Sequence, residues 1–188
     1  MKKKAPRIEP FELMFMGRAV PMEDLRTDAD KRSEAAILAE LERAGVAADS
    51  IYDLVNAGKG YDRGIPVLLK HVNKRHTIST RCICAQCLNV PGILRHWEGL
   101  VACYRQCGCA AVQGALADVV YFNGKKEHSD DIASMVRMKS KMGRNVLVDK
   151  LAQLKYEGLA QILMDLDSLG LDASDPWIAK RAMKGRRS

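Results

Sequence analysis

Aromatic residues are scarce, 5% of 188 positions, and nowhere do they interleave with basic ones. A single-strand nucleic-acid binder needs flat rings on which successive bases stack, so that class is disfavoured. Long apolar runs are missing as well. Hydrophobic residues come in short bursts between Lys, Arg, Asp and Glu, and none approaches the roughly 20 residues that span a bilayer. Behind Lys2-Lys3-Lys4, the residues Pro6, Arg7, Glu9, Pro10 and Glu12 leave no apolar core for an export signal. A cytoplasmic protein without a membrane partner is the expectation. Runs of β-branched residues alternating with polar ones are nearly absent, which argues against a sheet-based fold. Catalytic signatures are lacking too: His71, His76, His96 and His128 form no H-E-x-x-H pattern, and Gly58-Lys59-Gly60 has no phosphate-loop context.

What remains is enough apolar material, 47% of the residues, to bury a core without disulfides or metal. Its spacing predicts an all-α protein. Thr27 and Asp30 form a capping pair ahead of a helix over 28–44, in which Ile37, Leu38 and Leu41 recur at helical spacing until Gly45 stops it. Ser50 and Asp53 repeat the cap before a short helix over 51–56. Further helices are expected from about 61 to 72 and over 78–88, 95–106, 110–122, 129–139, 143–154, 157–166 and 175–184. Starts of alternate helices near 62, 95, 129 and 158 recur every 30 to 34 residues or so, the signature of a solenoid of helix pairs. Residues 1–27 read as an N-terminal arm packing on the body, 28–184 as one helical-repeat domain, and 185–188 as a basic tail.

Two stretches carry a family resemblance. Ser50-Ile51-Tyr52-Asp53-Leu54-Val55-Asn56, followed by Ile65-Pro66-Val67-Leu68-Leu69-Lys70-His71, resembles the opening of small bacterial HEAT-repeat proteins. Asp130-Asp131-Ile132 through Gly143-Arg144, Leu147-Val148, Leu151-Ala152 and Ile162-Leu163 is similar to their later repeats. The resemblance covers about residues 34 to 166 and rests on packing motifs. It implies a HEAT-like α-solenoid that presents a groove to a partner, with no shared catalytic residues.

Six cysteines fall in two clusters, Cys82, Cys84 and Cys87, then Cys103, Cys107 and Cys109. A tetrahedral thiolate zinc site would draw on Cys84, Cys87, Cys103 and Cys107, but the second cluster reads C-x3-C-x-C and only half matches that pattern. Packing between helices is the favoured reading, and no metal or cofactor is expected. His71, near a helix C-terminus, reads as a residue favoured by the helix dipole. The net charge is +7, and in the second half basic residues cluster around one interhelical turn and at the end of the chain. Lys139, Lys141, Arg144 and Lys150, with Lys180, Arg181 and Lys184, form a candidate basic surface for a partner, and Trp97 and Trp177 are candidate aromatic anchors. The expectation is a non-catalytic binding protein whose partner is another protein, in the role of an inhibitor or immunity-type factor. The alternative is a basic groove that cradles nucleic acid in the manner of DNA-glycosylase-like helical-repeat proteins, with Asp118, Asp149 and Trp97 as candidate groove residues by type.

Overall fold

A computed structural model describes residues 12–15, 18–21, 27–57, 60–138 and 143–168; for 12–15, 18–21, Asn56 and Asp167 only the backbone is considered. The body is helical: α1 Asp28–Arg43, α2 Ile51–Ala57, α3 Ile65–Val72, α4 Ile78–Cys87, α5 Trp97–Gln106, α6 Ala110–Asn123, α7 Ser129–Val136, α8 Arg144–Gln153 and α9 Leu159–Ser168. The N-terminal arm adds a small hairpin that the sequence reading did not foresee. Strands β1 Glu12–Phe15 and β2 Arg18–Pro21 pair antiparallel, with Leu13 opposite Val20. Four-residue strands are too short to display an alternation, and the clue in the sequence was the two-residue spacer Met16-Gly17. How the arm packs, and the helix expected over 175–184, lie outside the described residues. No described helix is long and apolar enough to cross a membrane.

The chain divides into two compact units, Met1–Gln106 and Cys107–Ser188. In the first, α1 starts at a complete capping box: Asp30 N–H donates to Thr27 Oγ1, and Asp30 Oδ2 accepts from the Thr27 N–H, both at 3.1 Å. Such a cap is worth about 1 kcal/mol. Asp30, Glu34, Ile37 and Leu41 form its buried stripe. The two acids in that stripe are bonded: Glu34 Oε2 accepts from Ser50 Oγ (3.2 Å) and from Ile51 N–H (3.3 Å), which fixes α1 to the start of α2. Ser50 N–H in turn donates to Asp53 Oδ2 at 2.9 Å. Helix α1 packs on α2, α3 and α4, while α2 packs on α4 and α3 on α5. In the second unit α6 packs on α8, and α7 on both α8 and α9.

The same local device occurs once in each unit. A three-residue 3-10 turn, Asp62–Gly64 or Lys126–His128, leads into an eight-residue helix ending in valine, α3 or α7. An arginine of the next helix then satisfies that valine's carbonyl: Arg81 Nε donates to Val72 O (2.7 Å), and Arg144 Nε to Val136 O (3.1 Å). The last carbonyls of a helix have no intrahelical donors, so each arginine completes a C-terminus while tying it to the following helix. A longer 3-10 turn, Pro91–His96, precedes α5 in the same way. Helices α3, α5 and α7 therefore begin about 32 residues apart, at Ile65, Trp97 and Ser129.

Candidate functional site

Each unit places alternate helices side by side and leaves large apolar groups exposed on them. In the first, Tyr52 on α2 and Ser79 on α4 bring their hydroxyls to 3.1 Å, with Val55 and Ile78 exposed on the same two helices. In the second, Phe122 on α6 is 65% exposed, with Tyr121 against it edge to face at 5.3 Å. Tyr121 OH donates to Asp149 Oδ2 on α8 at 3.1 Å, and Gln153 Nε2 donates to the same carboxylate oxygen at 3.1 Å. Surfaces of this kind, an aromatic anchor beside a fixed polar cluster, suit macromolecular recognition.

The first unit also holds a chain of polar groups that sequence reasoning missed. Ser33 Oγ lies 3.1 Å from His76 Nδ1, His76 Nε2 lies 2.8 Å from His71 Nδ1, and His71 Nε2 lies 3.3 Å from Glu40 Oε1. That last contact is in ion-pair range but poorly aligned as a hydrogen bond. Glu40 Oε2 accepts from Lys70 Nζ at 2.7 Å. A neutral imidazole has one donor and one acceptor nitrogen, and the carboxylate can only accept. One consistent direction follows: Ser33 O–H donates to His76, His76 N–H to His71, and the His71 N–H faces Glu40. Desolvation first, then the Lys74 charge, holds both histidines below the usual imidazole range. Glu40 is held down at about 2, chiefly by its hydrogen bond from Lys70. His71 does lie near the C-terminus of α3, but as a buried group favouring the neutral form within this network, not as a cation answering the helix dipole. Ser33 Oγ also accepts from Thr77 N–H at 3.1 Å, so the chain braces the start of α4. No spacing rule flags it, since Ser33 and Glu40 share a face of α1 while the histidines sit at either end of the loop after α3.

Two candidate basic residues leave the expected surface by burial. Arg144 is 5% exposed and its Nη2 donates to Met138 O at 2.5 Å, in addition to its bond to Val136. Lys150 is 9% exposed, lies 5.7 Å from the Tyr121 ring centroid, and is shifted down by desolvation. Both belong to the packing of their unit. Trp97 opens α5 as read from the sequence, but it is 7% exposed and is a core residue there. Lys139, Lys141, Trp177, Lys180, Arg181 and Lys184 lie outside the described residues. Of the other groove candidates, Asp149 is buried against Tyr121 and Gln153, while Asp118 is exposed and shifted up by partial desolvation.

Cys84 and Cys87 are buried among the helices of the first unit, while Cys82, Cys103 and Cys109 are half-buried. Cys87 Sγ donates to Ile51 O and Cys103 Sγ to Leu69 O, each at 3.2 Å. Burial pushes the Cys84 thiol up to about 12 and the Cys87 thiol well above its usual range. Among the described residues no three His, Cys, Asp or Glu side chains gather as a metal site. Comparison with protein-family models, with curated proteins and with solved structures returns no match.

Proposed function

We propose that this chain is a non-catalytic, HEAT-like α-solenoid that holds a protein partner through the exposed second helices of its pairs, taken unit by unit, in the role of an inhibitor or immunity-type factor. Repetition of the turn, short helix and arginine bond in both units supports the repeat reading. So does the contact order within each unit, where helices two apart in sequence pack together. One observation carries the functional reading: of the four large apolar residues exposed among the described ones, Val55, Ile78 and Phe122 lie on α2, α4 and α6, the second members of their pairs, and Met164 on α9. Burial of Arg144 and Lys150 weakens the nucleic-acid alternative by removing two of its cations.

Photo-crosslinking tests this reading. A benzoylphenylalanine at position 78 or 122 should capture a protein from the native host's extract, and the double variant Ile78→Asp, Phe122→Asp should lose that partner while keeping the helical circular dichroism. Duplex DNA bound with log affinity falling steeply against log salt, near −0.9 per phosphate contact, would overturn the protein-partner reading in favour of nucleic acid.

A further inference from the structure

We infer that the first unit carries a binding site for a carboxylate on a short apolar body, in a cavity formed by the loops that precede α2, α3 and α5. The cavity, about 650 Å³, is lined by Gly45, Val46, Gly60, Val90, Pro91 and Gly92 with the charged residues Asp62, Arg63 and Arg95. That volume lies within the ordinary range of small-ligand pockets, roughly 300–1,000 Å³. Its walls come from local requirements of the chain. Gly45 and Gly60 sit at φ +79° and +95°, which L side chains rarely adopt, and no described residue stands within 4 Å of where a Cβ on Gly60 would be. At Gly92 a Cβ would collide with the Asp62 carboxylate, so the glycine is what lets that carboxylate lie against the loop.

The charges decide the ligand. Asp62 is ion-paired with Arg95, and both side chains are more than half exposed, so the pair is open to exchange with a ligand. Arg63 Nη1 lies 3.7 Å from where a Cβ on Gly45 would stand, which puts its guanidinium at that wall. Among the described residues no ion pair holds Arg63. Two guanidiniums against one carboxylate leave one net positive charge among the described lining residues. A singly charged carboxylate matches it and can take the guanidinium fork bidentately, whereas a phosphate dianion exceeds it. Pro91, exposed at the wall, supplies apolar surface for the body behind the charge, with Val46 and Val90 almost wholly buried beneath it. The ligand is either a free organic acid or the acidic side chain of a peptide.

Titration of the full-length protein tests the site through the amide signals of Gly45, Gly60 and Gly92 and the Arg63 Nε–H signal. The probes are N-acetyl-leucinate, the capped peptide acetyl-Leu-Glu-Leu-amide, N-acetyl-leucinamide and inorganic phosphate. Saturable shifts with a carboxylate probe and none with the amide are expected; response to the free acid alone points to a small metabolite, and response to the peptide as well points to an acidic protein segment. Arg63→Ala should weaken binding at least tenfold, and Asp62→Asn, which frees Arg95, should strengthen it severalfold. A merely structural Arg63–Asp62–Arg95 cluster would not give these opposite signs. No saturable shift with either carboxylate, equal shifts with the amide, or tighter binding of phosphate would each overturn the assignment.

Discussion

His71 and Met135 occupy the same place, the seventh residue of an eight-residue helix, in α3 and α7. They are buried alike, 2% and 1% exposed. Around them the two units diverge. Helix α1 lies against α3 and supplies Glu40 and Ser33, so the first unit fills the position with an imidazole in a polar chain. The second unit fills it with a thioether. What the units share is backbone chemistry at helix ends, namely the 3-10 turn and the arginine on the valine carbonyl. Helix ends thus set the repeated frame, and the residue filling the frame sets the response to solution conditions.

The comparison breaks most visibly at glycine. Gly143, ahead of α8, and Gly60, ahead of α3, both lie at positive φ, so alanine costs about 1–2 kcal/mol of backbone strain at either. At Gly143 a Cβ would also collide with Ala117 Cβ, adding about 1–3 kcal/mol of overpacking, while at Gly60 it meets open space. Gly143→Ala should therefore destabilise the second unit by about 3 kcal/mol, and Gly60→Ala the first by about 1, read from hydrogen exchange of the α8 and α3 amides. A reversed order would contradict the packing at α6.

The arginine device ranks next. Arg144→Met removes a nearly buried guanidinium from the Val136 and Met138 carbonyls and should cost about 2–3 kcal/mol; Arg81→Met removes a half-buried one from the Val72 carbonyl and should cost about 1. Equal losses in chemical denaturation would mean that neither the deeper burial of Arg144 nor its bond to Met138 O adds to the shared bond on the valine carbonyl.

Much of this frame was legible in the sequence. Thr27/Asp30 and Ser50/Asp53 announced real caps, Gly45 a real stop, and the interval between alternate helices survives at Ile65, Trp97 and Ser129, because caps and periodicity are local. Two members of the basic cluster, Arg144 and Lys150, misled for a physical reason. Arginine and lysine count as surface residues by type, yet a long side chain on a helix facing its neighbour's C-terminus is drawn inward by carbonyls that need donors, as Arg144 is. The histidine chain and the arginine-lined cavity were invisible because each joins residues far apart in sequence, Ser33 with His76 and Arg63 with Arg95, through loops whose course no local pattern records.

The smallest effect asks whether His71 is what separates the units in their response to acid. Both His71 and His76 are held below 6.5 in the folded protein, so as pH falls the unfolded chain takes up protons first. Their contribution is complete above pH 6.5 and is lost as pH drops toward the folded values. Glu40 has its own window: held at about 2 against 4.5, it contributes fully above pH 4.5 and loses that contribution as pH falls toward 2. His71→Met, which imports the residue at Met135, should flatten the stability profile of the first unit between pH 6.5 and 4.5. It should leave the loss below 4.5 largely in place, because the hydrogen bond from Lys70, the main cause of the low Glu40 value, survives. Denaturation midpoints at pH 7.5, 5.5 and 3.5, with the His76 ring protons followed by NMR, separate the two windows. If wild type and His71→Met lose stability in parallel between pH 6.5 and 4.5, the histidine chain is only a brace for α4, and the acid response of the first unit arises elsewhere.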